Sequence, residues 1–180
     1  MRILSFDQAT RVTGYALFVD TGLVNWGCID CSKLPEGDER INQMILKIYE
    51  TIRAAKPDVV VFENVQLQTS PKTLMMLTRI QGAIMGYCLE HGIIWNIYMP
   101  TQWRKILGFS QGKDTKRKEL KKQAIEFACE AYNIQFKEDI AESVSIGLAY
   151  LKSKGLLSDL EHLQRKRKNI GEKPIVKQRN

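Results

Sequence analysis

Ile3-Leu4-Ser5-Phe6-Asp7 is the stretch on which the fold turns: an apolar, β-prone run that ends on a carboxylate. Gln8-Ala9-Thr10-Arg11 interrupts the pattern, and Thr13-Gly14-Tyr15-Ala16-Leu17-Phe18-Val19 resumes it as a second strand. After the Asp20-Thr21-Gly22 turn, residues 23–31 read as a third, so the chain opens as a three-strand antiparallel meander. An Asp at the end of a core strand is held rigidly, yet it faces the sheet edge, where a ligand reaches it. Burying a carboxylate alone is costly, so such a residue keeps a donor, a cation or a metal beside it. Taken alone, Asp7 reads first as the cap of a turn. Its company further along the chain alters that reading.

Beyond the meander, Pro35-Glu36-Gly37 breaks the pattern. From Asp38, expected as an N-cap, Ile41, Met44, Ile45, Ile48 and Ile52 recur at helical spacing to about Ala55. Val59-Val60-Val61-Phe62 has the β-branched, wholly apolar character of a strand buried on both faces, and it ends on Glu63. A helix follows, with Leu74, Leu77, Ile80, Ile84 and Leu89 expected on its apolar side and Gly82, Ala83 and Gly86 for close packing; His91-Gly92 closes it. Residues 93–98 read as a strand and 100–108 as a short helix. A basic helix is predicted from Asp114 to about Tyr132, burying Leu120, Ala124, Ile125, Phe127 and Ala128. A last helix, 137–152, carries Ile140, Val144, Gly147, Leu148 and Leu151. The order predicts one α/β domain over 1–152, its meander continuing into parallel strands flanked by helices. A basic C-terminal tail, 153–180, follows, with a short helix expected over 156–163.

A chain of 180 residues, 44% hydrophobic and 26% charged, has the make-up of an ordinary globular domain. No apolar run is long enough for a membrane span, and no export-type segment opens the chain, so a cytoplasmic protein is expected. The four cysteines are too scattered for a disulfide framework, and Cys28-Ile29-Asp30-Cys31 reads as strand alternation rather than half of a zinc site. Charge is more informative. The net +7 is concentrated in residues 102–122, with eight basic and two acidic side chains, and in 153–180, with eight and three. The rest of the chain is net acidic. Two basic segments on an acidic body provide a footprint for phosphates and a separate place for carboxylates, the pattern of a nucleic-acid binder. Either segment alone reads equally as a solvated face or tail.

Asp7 and Glu63 are each the first polar residue after an apolar strand, and neighbouring strands would bring them to one sheet edge. Asp139 and Glu142 start the last helix three residues apart, on one face of its first turn. Acidic residues at a helix start also suit its dipole, which by itself accounts for this pair on structural grounds. Carboxylates gathered from separate segments repel one another unless a cation intervenes. Hard oxygen ligands of this kind suit Mg²⁺ or Mn²⁺ rather than zinc. Paired divalent ions about 4 Å apart activate water and stabilise the leaving oxygen of a phosphodiester.

Together, these residues resemble the RuvC-type Holliday-junction resolvases, members of the RNase H-like nuclease fold. Ile3 to Asp7 with Thr10-Arg11-Val12-Thr13-Gly14-Tyr15 is similar to that family's first motif, and Val61-Phe62-Glu63-Asn64-Val65 to its second. The Leu74, Leu77, Gln81-Gly82-Ala83 pattern fits the helix that follows, and Asp139-Ile140-Ala141-Glu142-Ser143 falls where the family has an Asp-x-Ala-Asp type motif. The resemblance covers residues 1 to about 152. It implies a structure-selective endonuclease for four-way DNA junctions and other branched DNA such as forks, acting in recombination and repair. Asp7, Glu63, Asp139 and Glu142 would bind two Mg²⁺ ions, Mn²⁺ substituting, with Lys116 catalytic or on the DNA near the scissile phosphate. Arg11, Gln66, Arg104, Lys105, Lys113, Arg117 and Lys118 are the further candidates for DNA contact. The resemblance also implies a homodimer, its contact including the helix after the second motif, making paired symmetric nicks.

Three departures stand out. Glu142 occupies a position usually Asp or His, and Gln8-Ala9 replaces Pro-Gly after the first Asp. Gln66 stands where bacterial members carry an aromatic that stacks on junction bases. The last departure implies a relaxed, branch-directed specificity of the phage type, in a bacterial cell or phage-infected host. A RuvC-like ribonuclease acting on structured RNA, or an inactive junction-binding protein, are the alternative expectations.

Overall fold

The structure, a computed structural model, describes residues 1–66, 70–112 and 115–157. The opening apolar runs form β1 (Arg2–Asp7), β2 (Val12–Val19) and β3 (Gly22–Asp30), an antiparallel meander in which Asp7 stands opposite Gly14. Helix α1 (Asp38–Ala55) then returns the chain so that β4 (Val59–Glu63) pairs parallel with β1, Phe6 beside Phe62. Helix α2 (Pro71–Glu90) carries it on to β5 (Ile94–Tyr98), parallel to β4. The sheet order is β3-β2-β1-β4-β5, the expected mixed sheet. The central strand β1 and its interior neighbour β4 each end on the predicted carboxylate.

Alternation along the strands makes two cores. Leu4, Phe6, Leu17, Val60 and Phe62 face α1 and α2, while Ile3, Ala16, Phe18, Val59 and Val61 face α3 (Pro100–Leu107), α4 (Arg117–Tyr132) and α5 (Glu138–Ser153). Helix α5 is buried without interruption from Ile140 to Leu151. Small residues let it lie directly on the sheet. A Cβ on Gly147 would stand 2.2 Å from the Phe18 ring, and one on Gly14 of β2 only 1.9 Å from the carbonyl oxygen of Asp139. Ser5 Oγ donates to the Ser143 carbonyl at 2.7 Å, fixing α5 to β1. Among the described residues, no helix is long and apolar enough to cross a membrane.

Several local expectations are corrected. Gly37, at φ 142°, occupies the N-cap of α1; Asp38 is the first helical residue, and its carboxylate pairs with Arg79 instead. The face of α2 on the sheet is Met76, Ile80, Ile84, Tyr87 and Cys88. Leu89 is 72% exposed, and a Cβ on Gly82 or Gly86 would touch nothing within 4 Å. Leu74 and Leu77 point away from the core because α2 begins beside a cavity, which they line. The basic helix starts at Arg117, after a Thr115 N–H to Gly112 carbonyl turn and an extended Lys116. Its buried residues are Ala124, Ala128, Ala131 and Tyr132; Ile125 and Phe127 are partly covered, and Leu120 lines the same cavity. The cysteines are free, Cys28 exposed and Cys31 buried beneath the meander. Leu157 joins the α3–α5 core. Asp114, Lys113 and residues 158–180, with nearly all of the tail and all but the first two residues of its expected short helix, lie outside the described residues; those two, Leu156 and Leu157, are not helical.

Candidate active site

The parallel pairing of β1 and β4 runs to Phe6 and Phe62, so Asp7 and Glu63 are the next residues on adjacent strands. Gln8 ties these ends together: its side-chain N–H donates to the Glu63 carbonyl. The β1–β2 turn is closed by Thr13, whose Oγ1 accepts from the Ala9 N–H at 3.1 Å and pairs with the Ala9 carbonyl at 3.0 Å. Gly14 then admits the first turn of α5 against β2, which sets Asp139 beside Asp7. One turn later, Glu142 comes from the same helix, buried to 8% exposure. All four carboxylates line one cavity of about 610 Å³, with Gln8, Asn64, Leu74, Leu77 and Leu120 among its other walls. A second hollow of about 570 Å³, between α1 and the β2–β3 hairpin, balances Arg2 and Lys47 against Asp30 and Glu50.

The cavity's cations are Arg104, Arg117 and Lys121. Arg104 Nη2 lies 3.9 Å from Glu63 Oε1 and 3.6 Å from Glu142 Oε1. Lys121 pairs with Glu138, at the start of α5, and favours ionisation of Asp7, Asp139 and Glu142. These cations do not neutralise the site. Desolvation, then the charges of Glu142, Glu63 and Asp139, hold the Asp7 carboxyl well above the usual range. Burial also raises Glu142 and Asp139. Glu63 is raised by burial too, against the pull of a hydrogen bond from Trp103 and the charges of Arg104 and Arg117. The donor set is four hard carboxylates with excess negative charge, which fits a divalent cation such as Mg²⁺ or Mn²⁺. Among the described residues, no three ligand-type side chains are already gathered closely enough to hold an ion as they stand.

Of the other predicted residues, Arg104 and Arg117 line the cavity, as does the exposed Gln66. Lys116 caps α4 and, with Lys118, Lys105 and Arg11, is not part of the cavity wall. Lys113 lies outside the described residues. Lys121 and Trp103 were not among the residues expected at the site. Helical spacing held a signal for the first, since Arg117, Leu120 and Lys121 are three and four residues apart and share one face. Trp103, in the short helix expected over 100–108, carried no such signal.

The fold is shared with solved Holliday-junction resolvases. "T. thermophilus RuvC in complex with Holliday junction substrate" superposes with a TM-score of 0.67 at 14% identity, covering 87% of this chain and 96% of that one. The Fowlpox virus resolvase, solved with substrate Holliday junction DNA, gives 0.62 at 23% identity, covering 86% and 99%. The family model for crossover junction endodeoxyribonuclease RuvC matches residues 3–149, and the chain belongs to that family. The RuvC of Geobacter metallireducens is 22% identical over 169 residues, 91% of this chain and 100% of the relative. That of Halorhodospira halophila is 28% identical over 116 residues, 63% and 70%.

Proposed function

We propose that this protein is a structure-selective endonuclease that resolves four-way DNA junctions by hydrolysing phosphodiester bonds. The observation that carries the reading is the convergence of Asp7, Glu63, Asp139 and Glu142 on one cavity walled by Arg104, Arg117 and Lys121, in a chain of the RuvC family. The Thermus and Fowlpox virus resolvases, solved with Holliday junction DNA, support the substrate class.

Asp7, Glu63, Asp139 and Glu142 would hold two divalent ions. Such ions supply the Lewis acidity that activates water and stabilises the departing 3′ oxygen. The chain's own residues do the rest. The carboxylates, brought to one cavity by strand ends and a helix start, would need only to close on an ion to orient the reacting phosphate. Lys121 and Arg117, on the first turns of α4, meet the phosphate's negative charge at the rim. Arg11, Lys105, Lys116 and Lys118 are the further cations that would meet the backbones of the junction arms, with Lys113, outside the described residues, a candidate from sequence.

A four-way junction has two-fold symmetry, and paired nicks require two active sites, so a homodimer is the assembly that fits. Helix α2 offers the surface. Met75 (59% exposed), Gly82, Gly86 and Leu89 lie along one outward stripe, with the two glycines open to close approach.

The test is cleavage of a synthetic four-way junction, with Mg²⁺ or with chelator, beside a replication-fork substrate and a linear duplex of the same sequence. Paired, metal-dependent nicks at the branch, abolished in Asp7→Asn with junction binding retained, are expected. Full activity in Asp7→Asn would remove the assignment. Cleavage of structured RNA and not of the junction would move the substrate class.

A further inference from the structure

Helix α3 supplies two consecutive side chains to the site that are not carboxylates. Trp103 is wholly buried, its ring edge-on to Phe109 at 5.6 Å, and its indole N–H donates to Glu63 Oε1 at 2.8 Å. Arg104 lies over that ring, Cζ 4.7 Å from the centroid, and reaches between Glu63 and Glu142. Both contacts to carboxylate oxygen exceed the roughly 2.7–2.9 Å of a direct charge-assisted hydrogen bond. The Nε of Arg104 is buried with no hydrogen-bond partner among the described residues. The guanidinium is therefore loosely held, within 3.9 Å of two of the four carboxylates. Trp103 is tightly held, and it fixes the carboxylate oxygen that Arg104 approaches.

From this we infer that α3 sets the divalent-ion affinity of the site, with Trp103 the positioning residue for Glu63 and Arg104 a resident counter-cation displaced when the ion enters. The inference rests on the four-carboxylate reading above and deepens it. The two residues act in opposite directions. Trp103 keeps the Glu63 side chain in a binding-ready orientation, as outer hydrogen-bond partners of ligands do, so its loss weakens the ion. Arg104 offsets the same negative charge that attracts the ion, so its loss strengthens binding. A displaced guanidinium still resting on Trp103 is also free to meet the phosphate that follows the ion.

The experiment is calorimetric titration of the DNA-free, full-length protein with Mn²⁺ and with Mg²⁺, in wild type, Trp103→Phe and Arg104→Gln, alongside intrinsic fluorescence. Trp103→Phe keeps a buried ring and removes the donor; it is expected to weaken ion binding about 10-fold or more. Arg104→Gln is expected to tighten it several-fold. Ion addition should change the emission of wild type and of a Trp26→Phe/Trp95→Phe double variant, and the change should vanish in Trp103→Phe. A purely structural role for α3 would weaken binding in both variants, and that result, or no change in either, overturns the inference while leaving the four-carboxylate site standing. Failure of wild type to bind either ion overturns the metal site itself, and this inference with it.

Discussion

Gly14→Ala tests how the site is built, because the packing around Gly14 fixes what a single methyl group would meet. The new Cβ would stand 1.9 Å from the Asp139 carbonyl oxygen and 2.5 Å from its carbon, both backbone atoms. Ordinary contact begins near 3.4 Å, so the first turn of α5 must retreat by about 1.5 Å. Neither side yields cheaply. Gly14 is pinned in β2 opposite Asp7, and α5 is fixed by Ser5 Oγ to the Ser143 carbonyl and by its burial. Overpacking of this kind costs about 1–3 kcal/mol, which in a domain of this size lowers Tm by roughly 2–4 °C per kcal/mol. The larger consequence is for chemistry. Asp139 moves relative to Asp7, and a misplacement of about 1 Å can cost about 10²-fold in rate. Single-turnover cleavage of a four-way junction, run well below the variant's Tm, should therefore fall about 100-fold, with junction affinity within a few-fold of wild type. Cleavage within two- to three-fold of wild type, at unchanged Tm, would refute the claim that Gly14 sets the approach of Asp139.

Other outcomes are expected from the same geometry. The raised carboxyls of Asp7, Glu63, Asp139 and Glu142 mean that folding favours their protonated forms. Stability of the metal-free protein thus declines as pH rises from the ordinary carboxylate range of about 4 through the raised values. Asp7→Asn should raise Tm in chelator at neutral pH by about 2–4 °C, the shift that ~1 kcal/mol produces, with the gain shrinking towards pH ~4; calorimetric scans showing a loss at neutral pH would contradict the sign. Lys121→Gln should lower the single-turnover rate about 10²-fold, whereas Lys116→Gln and Lys118→Gln should each reduce the salt slope of junction binding by about one and spare the rate; the reverse pattern would return the catalytic role to Lys116. Gly86→Arg should yield a monomer by light scattering and unpaired nicks, and a persistent dimer would shift the contact away from α2.

The strands, their order along the chain and the two strand-end carboxylates were legible because a wholly apolar β-branched run that stops on an acid is seldom anything but a buried strand reaching an edge. Helix α5 could be read as a helix with acids at its start. Its complete burial could not, since Ser143, Ser145 and Gly147 look polar or weak in sequence, yet Ser143 and Gly147 fit against Ser5 and Phe18 and all three are buried. The face of α2 was misjudged because Leu74 and Leu77 satisfy the core period while lining the cavity. Periodicity records which residues avoid water, without distinguishing a core from the wall of a cleft. Trp103 is the same ambiguity in reverse: an aromatic in a core whose one polar atom serves the site. Gln8 looked only like a departure from the family's Pro-Gly, yet its side chain holds the Glu63 backbone. Such cross-segment bonds leave no spacing signal.

What makes this a site, rather than an accumulation of acids, is that the fold refuses each carboxylate its usual relief. Asp7 and Glu63 cannot turn freely to solvent, because they end strands flanked on both sides by core. Asp139 is favoured by the N-terminal dipole of α5 and Glu142, a turn further in, is not; both are carried on a helix held against the sheet by contacts at Gly14 and Gly147 that leave it no slack. Local preference thus agrees with the fold for the apolar residues of both cores and conflicts with it at four acids. Such conflict, kept in place by an otherwise consistent core, marks functional residues. The partial remedies are telling. Lys121 is shared with Glu138, and Arg104 stands 3.9 Å from Glu63 and 3.6 Å from Glu142 rather than in contact. A chain that needed only stability could have closed these pairs or replaced them with apolar side chains. Leaving them open preserves a concentrated negative charge in the cavity, which under the proposed function a divalent cation and then a phosphate would complete.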